Sequence, residues 1–333
     1  IHETFDNGVS SNWEGSASTI DGATVDATSK TDTITVSNTL NTTGLNVTKS
    51  WDDTNNTYQT RPDSITYEIQ YSTDSTDGTD GTWTDVPLIW LKSNANYSTI
   101  TEDRITVNSK AAYSVILTNL PKYTSDSKAY KYRAVEKVLT YGTTQVQPGT
   151  NAIYSISSDM HNFTTSTQAP NQTDTITNKL SVASLAATKT WVDQTNKFNM
   201  RPTSITFTVQ SSKDNGTTWA NYSPAGIDVT FTSTVSATDG SLTGGLSNLP
   251  RYDTTGTVIQ YRAVELSFTY GDVTNTVYRS GNQIGDYTAA EGTTTYDAAN
   301  GYSTALTNTL QTGSISISKA WINTNQSLTQ PTS

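Results

Sequence analysis

The chain of 333 residues contains no cysteine, which excludes disulfide bonds and thiol chemistry. Apolar residues make up only 33% of it, and no run of them is long enough to span a bilayer. The 20 lysines and arginines are outnumbered by 30 aspartates and glutamates, giving a net charge of −10. Because phosphate groups attract positive charge, this balance argues against nucleic acid or an anionic membrane as a partner. We therefore expect no nucleic-acid partner and no membrane span in this segment.

Signals for catalysis and metal binding are also scarce. The two histidines, His2 and His161, are isolated, with no nucleophile or metal-ligand spacing around them, and we expect neither to have a role. Asp- and Asn-rich turns at 52–56 and 193–197 lack the spacing and the bidentate glutamate of a calcium-binding EF-hand loop, so we expect solvated turns. No metal, no cofactor and no enzymatic turnover are expected.

Short alternating strands, rather than helices, account for most of the sequence. No segment longer than a turn has a sustained 3.6-residue period. Many short runs instead alternate apolar and polar residues between Gly, Pro, Asn and Asp. This pattern is typical of β-sandwiches, and the predicted fold class is all-β with little helix.

One pattern occurs three times: an asparagine on an apolar strand and, eleven residues later, a lysine that stands two before a tryptophan. The copies are Asn38/Lys49/Trp51, Asn178/Lys189/Trp191 and Asn308/Lys319/Trp321. Because side chains alternate along a strand, each lysine shares a face with tryptophan and aliphatic residues, and each asparagine with its apolar neighbours. A buried amine or amide is costly unless it is paired. Their recurrence on the core face is the main indication of function.

The recurrence also predicts a tandem array of domains. The lysines are 140 and then 130 residues apart, well above the roughly 20–50 residues of a solenoid repeat. We predict a C-terminal remnant of a preceding repeat at 1–40, complete repeats at 41–180 and 181–310, and the first strand of a following repeat at 311–333. Within the remnant, Glu3 precedes Asn38 by 35 residues, a separation comparable to the 42 residues between Glu136 and Asn178.

The two complete repeats share an ordered set of motifs. They are Arg-Pro-x-Ser-Ile (61–65, 201–205), Asn-Leu-Pro-(Lys/Arg)-Tyr (119–123, 248–252), Tyr-Arg-Ala-Val-Glu (132–136, 261–265) and Thr-Asn-x-Leu (177–180, 307–310). This set resembles Cna B-type domains, which form the stalks of Gram-positive cell-wall adhesins and many pilins. The resemblance implies tandem immunoglobulin-like or prealbumin-like β-sandwiches. It also implies an extracellular, cell-surface location, with cell-wall anchoring through regions outside this segment.

In the family that the chain resembles, a first-strand lysine and a last-strand asparagine join in an isopeptide bond, catalysed by a glutamate on a central strand. Carried over to this chain, the bonds are Lys49–Asn178 with Glu136, and Lys189–Asn308 with Glu265. The chemistry is reasonable because burial favours the neutral amine and the neutral carboxylic acid. Contact within one chain also gives a large effective molarity. The alternative is a buried lysine–glutamate pair with a hydrogen-bonded asparagine and no covalent bond.

The partial repeats carry further residues of the same kind. Asn38 and Lys319 are the expected cross-link partners there, and Glu3 is the candidate catalytic acid. We expect each partner to bond to a residue of a longer fibre outside this segment, with completion between neighbouring chains as the alternative.

The sequence thus predicts a structural stalk segment of a bacterial surface adhesin or fibre. Its expected partners are neighbouring repeats of the same chain and, at a distant tip, a host-surface ligand. In the alternative reading the repeats themselves bind a host glycan or matrix protein. The insert at 86–111, with Trp90, is then the expected binding site.

Overall fold

The computed structural model describes residues 13–15, 38–149, 151–163, 171–297 and 301–320. Regular structure in these residues is almost entirely strand, and their one α-helix is α1 (Leu88–Lys92). Short 3-10 helices lie at Thr54–Asn56, Ala95–Tyr97, Ser109–Ala111 and Val273–Asn275. No helix among the described residues is both long and apolar enough to cross a membrane. The prediction of an all-β chain with little helix is confirmed.

Strands follow one another along the whole described chain. Those up to Leu180 are β1 (Trp13–Gly15), β2 (Asn38–Leu40), β3 (Thr42–Asp52), β4 (Ser64–Ser72), β5 (Thr84–Asp85), β6 (Arg104–Asn108), β7 (Val115–Pro121), β8 (Lys131–Tyr141), β9 (Thr144–Val146), β10 (Tyr154–Phe163) and β11 (Gln172–Leu180). Those that follow are β12 (Val182–Val192), β13 (Ser204–Ser212), β14 (Ala220–Asn221), β15 (Thr230–Val235), β16 (Leu242–Thr243), β17 (Gly245–Pro250), β18 (Gln260–Thr269), β19 (Thr276–Tyr278), β20 (Gln283–Ile284), β21 (Tyr287–Ala290), β22 (Thr294–Asp297) and β23 (Gly301–Leu310).

The chain divides into two compact units. The first consists of Ile1–Ser184, Ser211–Asp228 and Ser247–Tyr261, and the second of Leu185–Gln210, Val229–Leu246 and Arg262–Ser333. Strands β3 and β11 lie at the two ends of the predicted repeat 41–180, and β12 and β23 at the two ends of 181–310. The repeat boundaries themselves remain a prediction.

In the first unit, two sheets enclose the core. One has the strand order β10-β11-β3-β7, and the other has the order β5-β4-β8-β9, with β6 also paired to β4. Strands β3 and β11, distant in sequence, are parallel neighbours, and β8 of the other sheet contacts both. Inward-facing residues such as Leu45, Val47, Ile69 and Tyr132 are fully buried. Every second residue along β3 and β8 therefore points into the sandwich, as the alternation predicts.

The second unit repeats this arrangement. One of its sheets runs β12-β23-β21-β20, with β22 also paired to β23, and the other runs β16-β15-β13-β18-β19. Strands β12 and β23 are again parallel neighbours. The pattern of burial along β13 is identical, residue by residue, to that along β4. The shared Arg-Pro-x-Ser-Ile motif therefore opens equivalent strands.

Residues 311–320 differ from the sequence-based expectation. The pattern predicts a strand there with Lys319 on its core face, but these residues form no strand and are exposed. A strand is stable only when neighbouring strands satisfy its backbone groups. No strand in the described part of the chain pairs with this segment.

Candidate functional site

Adjacent parallel strands bring Lys49 and Asn178 together. In the pairing of β3 with β11, Lys49 stands opposite Ile176, and Trp51 stands opposite Asn178. Residues that face each other share a side of the sheet, as do residues two apart, so both functional side chains point into the sandwich. Asn178 is fully buried, and the side chain of Lys49 has no exposed surface.

Glu136 completes the first site from the opposite sheet. It lies on the inward face of β8 and is buried. Its Oε2 lies 2.9 Å from Lys49 Nζ, and its Oε1 accepts a hydrogen bond of 2.5 Å from Asn178 Nδ2. Lys49 Nζ also donates to the backbone oxygen of Ile176, at 3.2 Å. One carboxylate thus contacts both the amine and the amide.

The second repeat reproduces this site. Lys189 stands opposite Leu306 in the pairing of β12 with β23, and Trp191 stands opposite Asn308. Oε1 of Glu265, on β18, contacts Lys189 Nζ and also accepts a hydrogen bond of 3.4 Å from Asn308 Nδ2. All three functional side chains are buried. The structure therefore brings together the three residues singled out in each complete repeat.

Burial governs the charge of both lysines. Desolvation lowers the pKa of Lys49 below its ordinary value, although the charge of Glu136 acts in the opposite direction. Burial likewise lowers the pKa of Lys189 to about 8, against the opposing effect of Glu265. Only a neutral amine is nucleophilic. Both sites therefore favour the reactive form of lysine more than water does.

The asparagine amides depend on the glutamates for their polar contacts. Oδ1 of Asn178 and Oδ1 of Asn308 are buried and have no hydrogen-bond partner among the described residues. An unsatisfied buried acceptor costs about 1–3 kcal/mol. Rotation of either amide group about its Cβ–Cγ bond would exchange the positions of its oxygen and nitrogen. The oxygen would then lie at the carboxyl group, where a protonated glutamate could donate a hydrogen bond to it.

The polar turn after each tryptophan is mostly exposed, as the sequence predicts, but one aspartate in each turn is buried. Asp53 is only 3% exposed. It accepts two hydrogen bonds from Arg61, of 2.7 Å to Nε and 2.9 Å to Nη2, and the pair Asp193–Arg201 has the same two distances. The sequence feature that could have predicted this ion pair is the arginine of the Arg-Pro motif, which follows the aspartate by eight residues in both repeats. Each turn thus contributes one buried aspartate to a two-point ion pair with the arginine, whose side chain is partly exposed.

His161 has specific partners, which contradicts its interpretation as incidental. Its Nδ1 is hydrogen-bonded to Oδ1 of Asp174, and its Nε2 lies 3.7 Å from Oδ1 of Asp159. Ligand-type atoms of the three residues lie within 4.8 Å of one another, close enough to consider a metal ion. Both oxygens of Asp174 already have partners in the protein, however, because Oδ2 accepts a 2.5 Å hydrogen bond from the backbone of Ala134. The contacts describe a hydrogen-bonded charge cluster.

Trp90 packs the insert of the first repeat against two tyrosines outside the insert. Its ring centroid lies 5.4 Å from that of Tyr71 and 5.4 Å from that of Tyr130. The residue is half-buried on α1. These contacts give Trp90 a packing role between the insert and the rest of the repeat.

The residues of the partial repeats lie apart from these sites. Glu3 falls outside the described residues, as does Trp321. Asn38 begins β2, which pairs antiparallel with β1. Lys319 is exposed in the segment 311–320. Their roles in cross-linking remain predictions.

The chain is similar to several solved structures. A single B repeat unit (B1) of the collagen-binding surface protein CNA of Staphylococcus aureus is 17% identical, with 82% of this chain and 100% of that chain covered and a TM-score of 0.24. The major pilin from Streptococcus pyogenes is 14% identical, with 81% and 99% covered and a TM-score of 0.30. The pilus adhesin SpaC from Lactobacillus rhamnosus GG is 12% identical, with 81% and 29% covered and a TM-score of 0.26. No curated protein matches the chain.

The family model of the Cna protein B-type domain matches the chain twice, at residues 45–156 and 185–309. The first match contains Lys49 and Glu136, and the second contains all three residues of its site. Together the matches span well over half of the chain. The protein therefore belongs to the family of Cna protein B-type domains, with one match in each of its two complete repeats.

Proposed function

We propose that the chain is a stalk segment of an extracellular surface adhesin or pilus-like fibre, in which an isopeptide bond cross-links each complete repeat. The observation that carries the proposal is the buried contact of lysine, glutamate and asparagine in both repeats. These sets are Lys49/Glu136/Asn178 and Lys189/Glu265/Asn308. A buried ion pair adds little net stability, because desolvation offsets the attraction. Stability of the ion pair alone is therefore a weak reason for building the same three-residue contact twice.

In the first repeat, the bond forms when Lys49 Nζ attacks Cγ of Asn178 and the Cγ–Nδ2 bond breaks. Glu136 Oε2 accepts a proton from the amine at 2.9 Å. The carboxyl group then supplies this proton to the leaving nitrogen, which lies 2.5 Å from Oε1. The carboxylate that results takes the second proton that Nζ loses and ends as a neutral acid. An amine and a primary amide become a secondary amide and ammonia. The step requires no oxidant and no cofactor.

Proton transfer within the buried ion pair prepares this reaction. Moving the proton from Lys49 to Glu136 gives a neutral amine and a neutral acid, the forms that a desolvated site favours. Contact between the groups supplies the large effective molarity of an intramolecular reaction. Glu265 has the same role in the second repeat, where a single oxygen contacts both Lys189 and Asn308. Each site reacts once, without turnover.

The position of the bonds suits a load-bearing role. Each bond would join the first and last strands of a repeat, which are parallel neighbours. A force that pulls on the two ends of a repeat would pass from one strand to the other through covalent bonds. The strands between them would carry none of it. Tandem repeats cross-linked in this way would resist extension, which suits the display of an adhesive tip away from a cell surface.

Intact-mass spectrometry of the folded full chain tests this proposal. We expect a mass lower than that of the sequence by one ammonia per bond, and tryptic peptides joined through Lys49–Asn178 and Lys189–Asn308. Glu136→Gln should abolish only the first bond, and Glu265→Gln only the second, because glutamine cannot carry the proton.

A matched control is Glu68→Gln. Glu68 is also a buried acid of the first repeat, and it lies 2.9 Å from Lys137 Nζ. This variant should keep both bonds, because Glu68 is not part of either site. Folded, unsubstituted chain with an unmodified mass would refute the cross-links.

A further inference from the structure

The lysine of the first repeat lies near an additional negative charge. Strand β10 places Asp159 opposite Ile176, and Lys49 stands opposite the same isoleucine from the other side. Asp159 and Lys49 thus flank one residue on the same face of the sheet. Burial lowers the pKa of Lys49, and the charges of Glu136 and Asp159 both act against that effect. The anion of Asp159 therefore favours the ammonium form of Lys49.

Asp159 is held in a network of charges. Its side chain is 32% exposed, and the burial of the remainder raises its pKa to about 6, with the neighbouring anion Asp174 acting in the same direction. The cations His161, Arg133 and Lys49 favour its ionised form. Asp159 is consequently ionised at neutral pH and loses its charge as the pH falls below about 6.

The lysine of the second repeat lies near a positive charge instead. Burial lowers the pKa of Lys189, and Arg279 acts in the same direction against the opposing charge of Glu265. The Arg279 guanidinium is only 14% exposed and lies 4.0 Å from Glu291. Its backbone N–H donates to the oxygen of Leu266, the residue after Glu265 on β18. The backbone of Arg279 is thus held next to the residue that follows Glu265.

The two repeats also differ at the position of the histidine cluster. Asp174 lies four residues before Asn178, and Thr304 lies four residues before Asn308. Asp174 accepts a hydrogen bond from the backbone N–H of Ala134, and Thr304 accepts the equivalent bond from Ala263. Asp174 faces His161, whereas Thr304 faces Thr294, at 3.1 Å between hydroxyl oxygens. The charged pair of the first repeat is therefore an uncharged pair in the second.

We propose that Asp159 and Arg279 are positioning residues that make the two repeats cross-link at different rates. Asp159 slows the first reaction by holding Lys49 as an ammonium ion, and Arg279 speeds the second by disfavouring that ion at Lys189. Both act through charge on the attacking amine. The inference rests on the proposed cross-linking, and it predicts that the second bond forms before the first at neutral pH.

The rates can be measured separately in one sample. The full chain is recovered from inclusion bodies in urea, where it is unfolded, and dilution of the urea starts folding. Acid is added to samples at intervals to stop the cross-linking reaction. After trypsin digestion, mass spectrometry quantifies each joined peptide. Asp159→Asn should speed the first bond by about three- to tenfold at neutral pH, the effect of removing one partly screened charge. Arg279→Gln should slow the second bond to a similar extent.

The pH profile separates charge from structure. The effect of Asp159→Asn should vanish below about pH 6, where Asp159 is itself protonated. Asp159→Glu keeps the charge and should keep the slow rate. Asp126→Asn, at an exposed ion pair of the same repeat, should change neither rate. Equal rates for the two bonds, or a pH-independent effect of Asp159→Asn, would overturn the inference and leave the cross-links intact. Absence of both bonds would refute the proposed function itself.

Discussion

Mechanical unfolding of the Glu136→Gln chain measures how much of the first repeat the proposed bond protects. Lys49 and Asn178 enclose about 130 residues. With the bond in place, this loop cannot lengthen, because the force passes directly from β3 to β11. Without the bond the loop is free, and at about 3.3–3.6 Å per residue it adds roughly 430–470 Å of contour length, less the folded length.

Single-molecule force spectroscopy on chains tethered at both ends detects this difference. The unsubstituted chain should show no such step, and Glu136→Gln should show one. Glu265→Gln should release the shorter loop between Lys189 and Asn308, about 120 residues or roughly 400–430 Å. The two lengths identify which repeat has opened. Glu68→Gln, which leaves both sites intact, should show no step.

Two results would contradict this reasoning. A full-length step in unsubstituted chain that carries both bonds by mass would mean that the force does not enter and leave through the bonded strands. Chain that has lost the first bond and still shows no step would mean that hydrogen bonds and packing alone resist the force.

Two further predictions concern equilibrium stability. Lys49→Met removes the first bond and should lower the free energy of unfolding of the first repeat by about 5 kcal/mol, the chain-entropy value for a loop of roughly 130 residues. Calorimetry should show the Tm of the first repeat about 10–20 °C lower and the transition of the second repeat unchanged. Burial opposes protonation of His161, but its hydrogen bond to Asp174 and the nearby anions prevail and raise its pKa. Its contribution to stability should therefore be complete below about pH 6.5, the ordinary histidine value, and be lost as the pH rises through the raised pKa. Urea unfolding of Lys49→Met at several pH values should show this loss, and adding His161→Gln should abolish it; identical profiles would contradict it.

The residues of the two sites could be identified from the sequence because the evidence is local. Alternation alone places Lys49 with Leu45 and Val47 on an inward face, and Glu136 with Tyr132. Repetition in the second repeat separates this signal from chance. Residues 311–320 show the limit of the same reasoning, since an alternating pattern forms no strand where no neighbouring strand satisfies its backbone.

Contacts between distant segments could not be predicted from the sequence. Nothing in the local pattern around His161 indicates that it faces Asp174 on the neighbouring strand, or that Asp159 lies across Ile176 from Lys49. Such relations depend on strand order and register, and a slip of one residue would turn every side chain to the opposite face.

By itself, the sequence determined the predominance of strand, the inward faces of the strands that carry the two sites and, through the resemblance to Cna B-type domains, the identity of the lysine, glutamate and asparagine in each repeat. Only the tertiary structure decided that the first and last strands are parallel neighbours and that one carboxylate contacts both reacting groups. It also decided that Asp159 lies across Ile176 from Lys49, and which charges act on the pKa of each lysine. The physical reason is that alternation is a property of a single strand, whereas pairing, register and the electric field at a buried site arise from segments far apart in the chain.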